Sequence, residues 1–254
     1  ADGAGWDYDS TQSSGGPEEG VHMLNHGDIL TYEEILEVIA VTVQMGITKV
    51  RITGGEPLVR KGIVHFVERV AAIEGILDLA MTTNGILLSG FAGDLARAGL
   101  HRINISLDTI DPLKYREITR GGDILQVFEG IREAKKAGLL PIKINCVVRQ
   151  SSGEPDAMNV KDFCLKNGLE VRFIHEMNLA NGCFTMVENG HGGDCPNCNR
   201  LRLTANGLIR PCLFDASGFS IREYGIRKAL ELALEMKPER GTVNLNGKFH
   251  NIGG

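Results

Sequence analysis

Three cysteines have the spacing of metal ligands. Cys195 and Cys198 form a C-x2-C pair, and Cys212 follows a hairpin signal that turns at Asn206–Gly207. The pair places two thiolates on one tight turn, and the hairpin returns the chain so that Cys212 can join them. Clustered thiolates suit an iron–sulfur cluster or zinc. Three ligands leave an iron of a four-iron cluster open, whereas a zinc site would take His191 as its fourth donor. A pair of reduced thiols without metal is the remaining alternative.

Two arginines lie directly beside these cysteines. Arg200 and Arg202 follow Cys198 and share one face if this segment is a strand. Each guanidinium can form two parallel hydrogen bonds with a phosphate or a carboxylate. We therefore expect them to hold an anion against the open position of the metal site. A solvated hairpin face is the structural alternative.

A second candidate site is the segment Thr53-Gly54-Gly55-Glu56-Pro57, which ends a predicted strand. Two glycines let the backbone approach a ligand closely or adopt a positive φ. The carboxylate of Glu56 can accept a hydrogen bond from an amine. An ordinary turn after a strand is the alternative interpretation of the two glycines.

The elements that must position these residues follow from alternating strand and helix patterns. A capping box at Thr31 and Glu34 begins an amphipathic helix that ends at Gly46. Helical segments then separate most of the strand candidates, which span residues 49–53, 77–83, 102–108, 142–148 and 170–175. This alternation predicts an α/β fold whose parallel strands are joined by right-handed crossovers.

The predicted strands are polar on one face. Side chains alternate across a strand, so Val50 and Ile52 share one face while Lys49 and Arg51 share the other. The other polar-face residues include Thr82, Arg102, Asn104, Ser106, Asp108, Lys143, Asn145 and Arg172. Parallel strands are usually apolar on both faces. We therefore predict a partial (β/α) barrel whose polar faces line a cavity, with an exposed sheet face as the alternative.

The alternation stops after Met177, which divides the sequence into three predicted regions. Residues 1–20 are rich in Gly, Ser and Asp and are expected to form a loop or disordered lead-in. Residues 21–177 form the partial barrel. Residues 178–254 form a C-terminal metal-binding region with the hairpin, a helical stretch over 221–236 and a Gly253–Gly254 tail.

Composition limits the partners. The net charge is −5, so no overall basic field attracts nucleic acid or an anionic membrane. No apolar run approaches the roughly 18 residues that a membrane span requires. Six cysteines without a recognisable secretory signal indicate a reducing compartment. We expect a cytoplasmic protein, or one of the mitochondrial matrix if the source is eukaryotic, in which anionic ligands meet local clusters of positive charge.

Taken together, these residues resemble the radical S-adenosylmethionine (SAM) superfamily and, within it, the GTP 3′,8-cyclases of molybdenum cofactor biosynthesis. The resemblance runs from about Pro17 to Gly254. It rests on the segments PEEG (17–20), VRITGGEPLVRK (50–61), TTNG (82–85), INISLDT (103–109), KINCVV (143–148), VRFIHEM (171–177), CPNCNRLRLTANG (195–207) and RPCLF (210–214), and on the terminal Gly-Gly.

The resemblance implies a set of ligands and site residues. It implies a 4Fe–4S cluster on Cys195, Cys198 and Cys212, with an open iron that contacts the guanine. It implies SAM contacts at Gly54, Gly55, Glu56, Ser106 and Met177, and GTP contacts at Lys49, Arg51, Thr82, Lys143, Arg172, Arg200 and Arg202. Gly253 and Gly254 would enter the active site, where residues without side chains fit.

The resemblance also implies a reaction. A second, N-terminal 4Fe–4S cluster reduces SAM, and the resulting 5′-deoxyadenosyl radical removes hydrogen from C3′ of GTP. The carbon radical then attacks C8 of the guanine. The implied partners are GTP, SAM and an electron donor, and a homodimer is one option.

Two features depart from the family pattern. The family binds its SAM-cleaving cluster with C-x3-C-x2-C immediately before the PEEG segment, whereas residues 9–16 read DSTQSSGG and the first cysteine is Cys146. The connection between Met177 and Cys195 is also much shorter than is usual. Three interpretations fit: a sequence from which residues are left out, an engineered chain, or a homologue that binds nucleotide without radical chemistry. A fourth is an active enzyme of this type for another nucleotide.

Overall fold

A five-stranded parallel sheet organises the larger part of the chain. The computed structural model describes residues 26–177, 185–190, 192–215 and 217–241. The strands are β1 (Lys49–Ile52), β2 (Asp78–Thr83), β3 (Arg102–Ser106), β4 (Lys143–Val148) and β5 (Glu170–His175). They lie side by side in sequence order, and every neighbouring pair is parallel. The predicted α/β fold is confirmed.

One helix precedes β1, and the others connect successive strands. They are α1 (Tyr32–Gln44), α2 (Ile63–Ala71), α3 (Leu88–Arg97), α4 (Pro112–Ile118), α5 (Ile124–Lys136) and α6 (Pro155–Lys166), with a short 3₁₀ helix at Pro57–Val59. The predicted capping box begins α1, because the Glu34 N–H donates to Thr31 Oγ1 at 3.2 Å and the Thr31 N–H donates to Glu34 Oε2 at 2.7 Å. Asp111 and Asp123 cap α4 and α5 with their carboxylates.

The hydrophobic core lies between the helices and the apolar face of the sheet. Fully buried strand residues include Leu79, Met81, Ile103, Ile105 and Ile144, which alternate with the polar residues as the sequence predicts. Each such side chain contributes about 1.5–3 kcal/mol by leaving water. This packing on one face leaves the polar face available for the site.

The C-terminal segment forms a small antiparallel sheet. Its strands are β6 (Arg202–Leu203), β7 (Leu208–Arg210) and β8 (Phe219–Ser220). The predicted hairpin is confirmed, and Gly207 in its turn has φ 84°, a left-handed conformation that favours glycine. The third strand, β8, was not expected from the sequence.

The helical stretch predicted over 221–236 is two helices. α7 (Ile221–Tyr224) ends before Gly225, whose φ of 76° and ψ of 158° are not helical, and α8 (Ile226–Glu235) follows. A separate apolar cluster buries Ile209 and Leu230 of this segment against Leu30 and Val38. The hairpin is therefore anchored on α1.

Some predictions concern residues outside the described part of the chain. These are the lead-in over 1–20, the tail Gly253–Gly254 and the candidate zinc ligand His191. Within the described part, no helix combines the length and the apolar character needed to cross a membrane.

Candidate active site

The strand register places polar side chains in rows across one face of the sheet. Residues that pair across neighbouring strands project to the same side. From the amino ends of the strands, the rows are Lys49–Asp78, then Arg51–Ala80–Arg102, then Thr82–Asn104–Lys143–Glu170, then Ser106–Asn145–Arg172. The predicted polar face is confirmed. Four of the predicted GTP contacts, Lys49, Arg51, Lys143 and Arg172, lie on it.

Arginines from the sheet and from the C-terminal segment converge over this face. Burial, together with the positive charges of Arg102, Arg200 and Arg172, lowers the pKa of Arg51 to about 10. Arg51 nevertheless keeps surface in contact with water. Arg200 therefore comes from the start of the hairpin region to the same space as the sheet residues.

Only some of these cations have an acidic partner among the described residues. Arg102 pairs with Asp78, and Lys143 Nζ lies 2.7 Å from Glu170 Oε2. The described residues provide no carboxylate within ion-pair distance of the other five cations, which are Lys49, Arg51, Arg172, Arg200 and Arg202. Burial also lowers the pKa values of Arg172 and Arg202, and neighbouring arginines add to this. Asp78 and Glu170 offset part of the positive charge at Arg51 and Arg172 without forming ion pairs with them. A group of cations with so few acidic partners makes a site for a polyanion.

The three predicted metal ligands lie at one end of this cluster. The Cys198 N–H donates to the Cys195 carbonyl at 3.1 Å, which closes the tight turn of the C-x2-C pair. Arg202 interacts electrostatically with Cys198 and Cys212, so the hairpin brings Cys212 back toward the pair. All three thiols are free and partly exposed.

The described residues contain no group of three or more His, Cys, Asp or Glu side chains arranged around a single metal ion. His191, the fourth donor of the zinc alternative, lies outside the described residues. The cluster and the zinc site on these cysteines therefore both stay predictions.

The Gly54–Gly55 turn lies at the carboxyl edge of the sheet. Gly54 has φ 153°, which side chains rarely adopt, and no atom lies within 4 Å of where a Cβ would stand at either glycine. The turn is open to a ligand on this side. Functional groups of parallel α/β sheets usually collect at this edge.

Glu56 is engaged inside the protein. The hydroxyl of Thr83 donates to Oε1 at 2.7 Å, and the Asn84 N–H donates to Oε2 at 2.7 Å. The Leu58 N–H also donates to Oε1, at 3.1 Å. The carboxylate therefore ties the turn after β1 to the end of β2, and Oε2 keeps capacity for one more donor.

The remaining predicted contacts also lie on the polar face or at its carboxyl edge. Ser106 is the exposed last residue of β3, and Met177 follows β5 by two positions and is partly buried. Asn104 Nδ2 donates to Thr82 Oγ1 at 3.3 Å. Asn104 is completely buried, so the polar face is less open at its centre than the sequence predicts.

Sequence reasoning did not assign a role to three residues of this site. Arg102 was expected on the polar face by alternation, but nothing in its spacing indicated that it would lie among the other arginines. The roles of Asp78 and Thr83 depend on their partners Arg102 and Glu56, and the strand register decides that these residues meet. The sequence indicated Thr83 only through the TTNG segment, which is part of the family resemblance.

Comparison with known proteins decides the family. The model of the radical SAM superfamily matches residues 11–160, more than half of the chain. The chain belongs to the radical SAM superfamily. Sequence relatives refine this placement. A protein named GTP 3′,8-cyclase from Thermodesulfovibrio yellowstonii is 41% identical over 273 residues, covering 89% of this chain and 83% of that protein. Its namesake from Petrotoga mobilis is 36% identical over 274 residues, with 87% and 85% covered.

The alignments are longer than the chain. The alignment with the Thermodesulfovibrio protein has 273 positions, whereas this chain has 254 residues. The relative therefore contains residues without a counterpart in this sequence. Residues that this chain lacks are what the shortened connection between Met177 and Cys195 predicts.

Solved structures share the radical SAM fold. Streptococcus suis SuiB bound to S-adenosylmethionine has a TM-score of 0.59 at 17% identity, covering 80% of this chain and 57% of that one. Methylornithine synthase has a TM-score of 0.50 at 20% identity, covering 58% and 44%. At these identities the likeness shows the fold alone.

Proposed function

We propose that this protein is a lyase of the GTP 3′,8-cyclase type, which binds GTP and prepares it for radical cyclisation. The observation that carries the proposal is the convergence of Arg51, Arg172 and Arg200, which have no carboxylate partner among the described residues, on one space beside Cys198 and Cys212. A triphosphate supplies the missing negative charge. The relatives that bear this name support GTP as the nucleotide.

Membership of the superfamily implies a 4Fe–4S cluster and SAM as cofactors. Cys195, Cys198 and Cys212 fit a cluster by their chemistry, because they offer three free thiols on a turn and a hairpin return. When bound there, the cluster would offer an open iron to the guanine.

The residues for a second, SAM-cleaving cluster do not fit. The sequence has no cysteine before Cys146, and serine hydroxyls at residues 10, 13 and 14 are poor ligands for iron. We derive no step through that cluster. SAM would bind at the carboxyl edge of the sheet, with backbone contacts at Gly54 and Gly55 and side-chain contacts at Ser106 and Met177.

The protein's own residues would act mainly by positioning. Arg51, Arg172, Lys143 and Lys49 would hold the triphosphate against the sheet, and the Thr82 hydroxyl is free to donate its proton because Asn104 donates to its oxygen. Arg200 and Arg202 would close the site from the hairpin. Fixing the ribose and the guanine in one orientation is what a radical reaction requires of its protein. An electron donor and a homodimer remain predictions.

Nucleotide binding by the full chain tests the proposal. Arg51→Ala and Arg202→Ala should each weaken GTP binding by about ten- to a hundredfold, because each removes a charge-assisted contact of roughly 1.5–3 kcal/mol. Val50→Ala is the matched control. Its side chain packs on the opposite face of β1, so it should lower stability and leave GTP affinity unchanged.

Isothermal titration calorimetry under anaerobic conditions measures these affinities. Unchanged GTP affinity in both arginine variants would contradict the proposed site. A second titration with ATP separates GTP from another nucleotide, because phosphate contacts do not distinguish bases. Equal affinity for ATP and GTP would show that the site binds nucleotides in general and is not specific for GTP.

A further inference from the structure

Arg102 is held by Asp78 in a fixed orientation. Its Nε donates to Asp78 Oδ1 at 2.9 Å and its Nη2 donates to Oδ2 at 2.6 Å. Both side chains are largely buried, with 18% and 23% of their surface exposed. Two parallel hydrogen bonds fix the plane of a guanidinium as well as its position. The direction of the third nitrogen, Nη1, is therefore set by the pair.

Two guanidinium nitrogens in this region lack an acceptor. Arg102 Nη1 and Arg172 Nε are both buried, and neither has a hydrogen-bond partner in the described part of the chain. A buried donor without an acceptor is costly, and more so when it is charged. Arg102 is also the charged neighbour that acts most strongly on both Arg51 and Arg172. Arg102 therefore lies close to two arginines already assigned to phosphate.

Arg51 and Arg102 lie in one row across the polar face, with Ala80 on the strand between them. The Cα atoms of the two arginines are two strand spacings apart, roughly 9–10 Å. Ala80 is 1% exposed, which agrees with long side chains closing over its methyl group. The row lies toward the amino ends of the strands, which we call the deep end of the polar face.

We propose that Arg102 is a further phosphate-binding residue at this deep end, and that Asp78 is the residue that positions it. The proposal rests on the proposed function, because it extends the same polyphosphate site. A terminal phosphate bound by Arg102 would accept a hydrogen bond from Nη1 and would bring negative charge to Arg51 and Arg172. Asp78 neutralises part of the charge of Arg102 but leaves its remaining donor for the ligand.

Binding of inorganic tripolyphosphate, GTP and guanosine to the full chain tests the proposal. Arg102→Gln should weaken the binding of tripolyphosphate and GTP by about ten- to a hundredfold and leave guanosine unaffected. Asp78→Asn keeps the charge of Arg102 but loses its orientation, so about a three- to tenfold loss is expected. The double variant should bind no more weakly than Arg102→Gln, because Asp78 acts through Arg102.

Arg69→Gln is the matched control. It breaks a 2.6 Å ion pair with Glu33 on the surface between α1 and α2, so it should leave all three affinities unchanged. If Arg102→Gln does not fold, Arg102→Lys takes its place, because lysine keeps the charge without the forked geometry. A lower tripolyphosphate affinity of the lysine variant supports the proposal.

Wild-type tripolyphosphate affinity in the folded Arg102 variant would overturn the proposal, as would an equal loss for guanosine. The outcomes separate this proposal from the proposed function. If Arg51→Ala weakens the binding of tripolyphosphate and GTP but Arg102→Gln does not, the proposed GTP site stands and Arg102 is not part of it. If tripolyphosphate binding depends on Arg102 but the protein does not prefer GTP over ATP, Arg102 binds phosphate and the assignment of GTP as the nucleotide is wrong.

Discussion

Thr83→Val tests whether Glu56 holds the glycine turn at the carboxyl edge of the sheet. Thr83 is 2% exposed, and its hydroxyl donates to Glu56 Oε1 at 2.7 Å while accepting from the Gly85 N–H at 3.1 Å. Valine has almost the same shape. The substitution therefore removes these two hydrogen bonds and little else.

The expected cost follows from the two bonds. A hydrogen bond to a charged group contributes about 1.5–3 kcal/mol, and a backbone N–H left without an acceptor adds about 1 kcal/mol. Thr83→Val should therefore lower the free energy of unfolding by about 2–4 kcal/mol, a decrease in Tm of about 4–16 °C for a chain of this size. Differential scanning calorimetry measures the shift.

Thr42→Val is the matched control. The Thr42 hydroxyl donates to the Ile39 carbonyl within α1, a neutral bond that contributes little to a helix. Hydrogen exchange adds a local measurement, because the amide protons of Leu58 and Asn84 both donate to Glu56 and should exchange faster in Thr83→Val. Equal Tm values in the two variants, with unchanged exchange at these amides, would refute the reasoning.

Three further predictions concern the cluster, a buried carboxyl and the radical step. Anaerobically purified protein should be brown, with near-equal iron and acid-labile sulfide, and Cys198→Ala should bleach it; colourless protein with stoichiometric zinc would support the zinc alternative instead. Burial raises the pKa of Asp108 above its ordinary value of 3.8, against the effect of a bond from the Val147 N–H. The ionised carboxylate therefore lowers the free energy of unfolding once the pH rises through that raised pKa. Asp108→Asn should be more stable than the wild type at pH 7, as measured by urea unfolding. The difference should vanish toward pH 3.8, where the wild-type carboxyl is protonated in the folded protein. A chain whose first cysteine is Cys146 should form no 5′-deoxyadenosine from SAM, GTP and dithionite; its detection by mass spectrometry would show that the C-terminal cluster cleaves SAM.

Local patterns in the sequence were sufficient for most of the fold. The alternation of Lys49, Val50, Arg51 and Ile52 predicted both the strand and its polar face, because side chains in a strand alternate whatever surrounds them. The capping box at Thr31 and the turn at Gly207 were predictable for the same reason, since each depends on residues within four positions. The break at Gly225 and the short strand β8 were not predicted, because packing decides them.

The sequence by itself determined which residues could bind anions and metal, and that the strand arginines share a face. Only the tertiary structure decided which of them are paired. Arg102 meets Asp78 across 24 positions, and Glu56 meets Thr83 across 27. Arg200 reaches Arg51 through the fold. Such contacts depend on the register between strands and on how the hairpin packs against α1. A one-residue change of register would invert the faces of a strand without changing its sequence pattern.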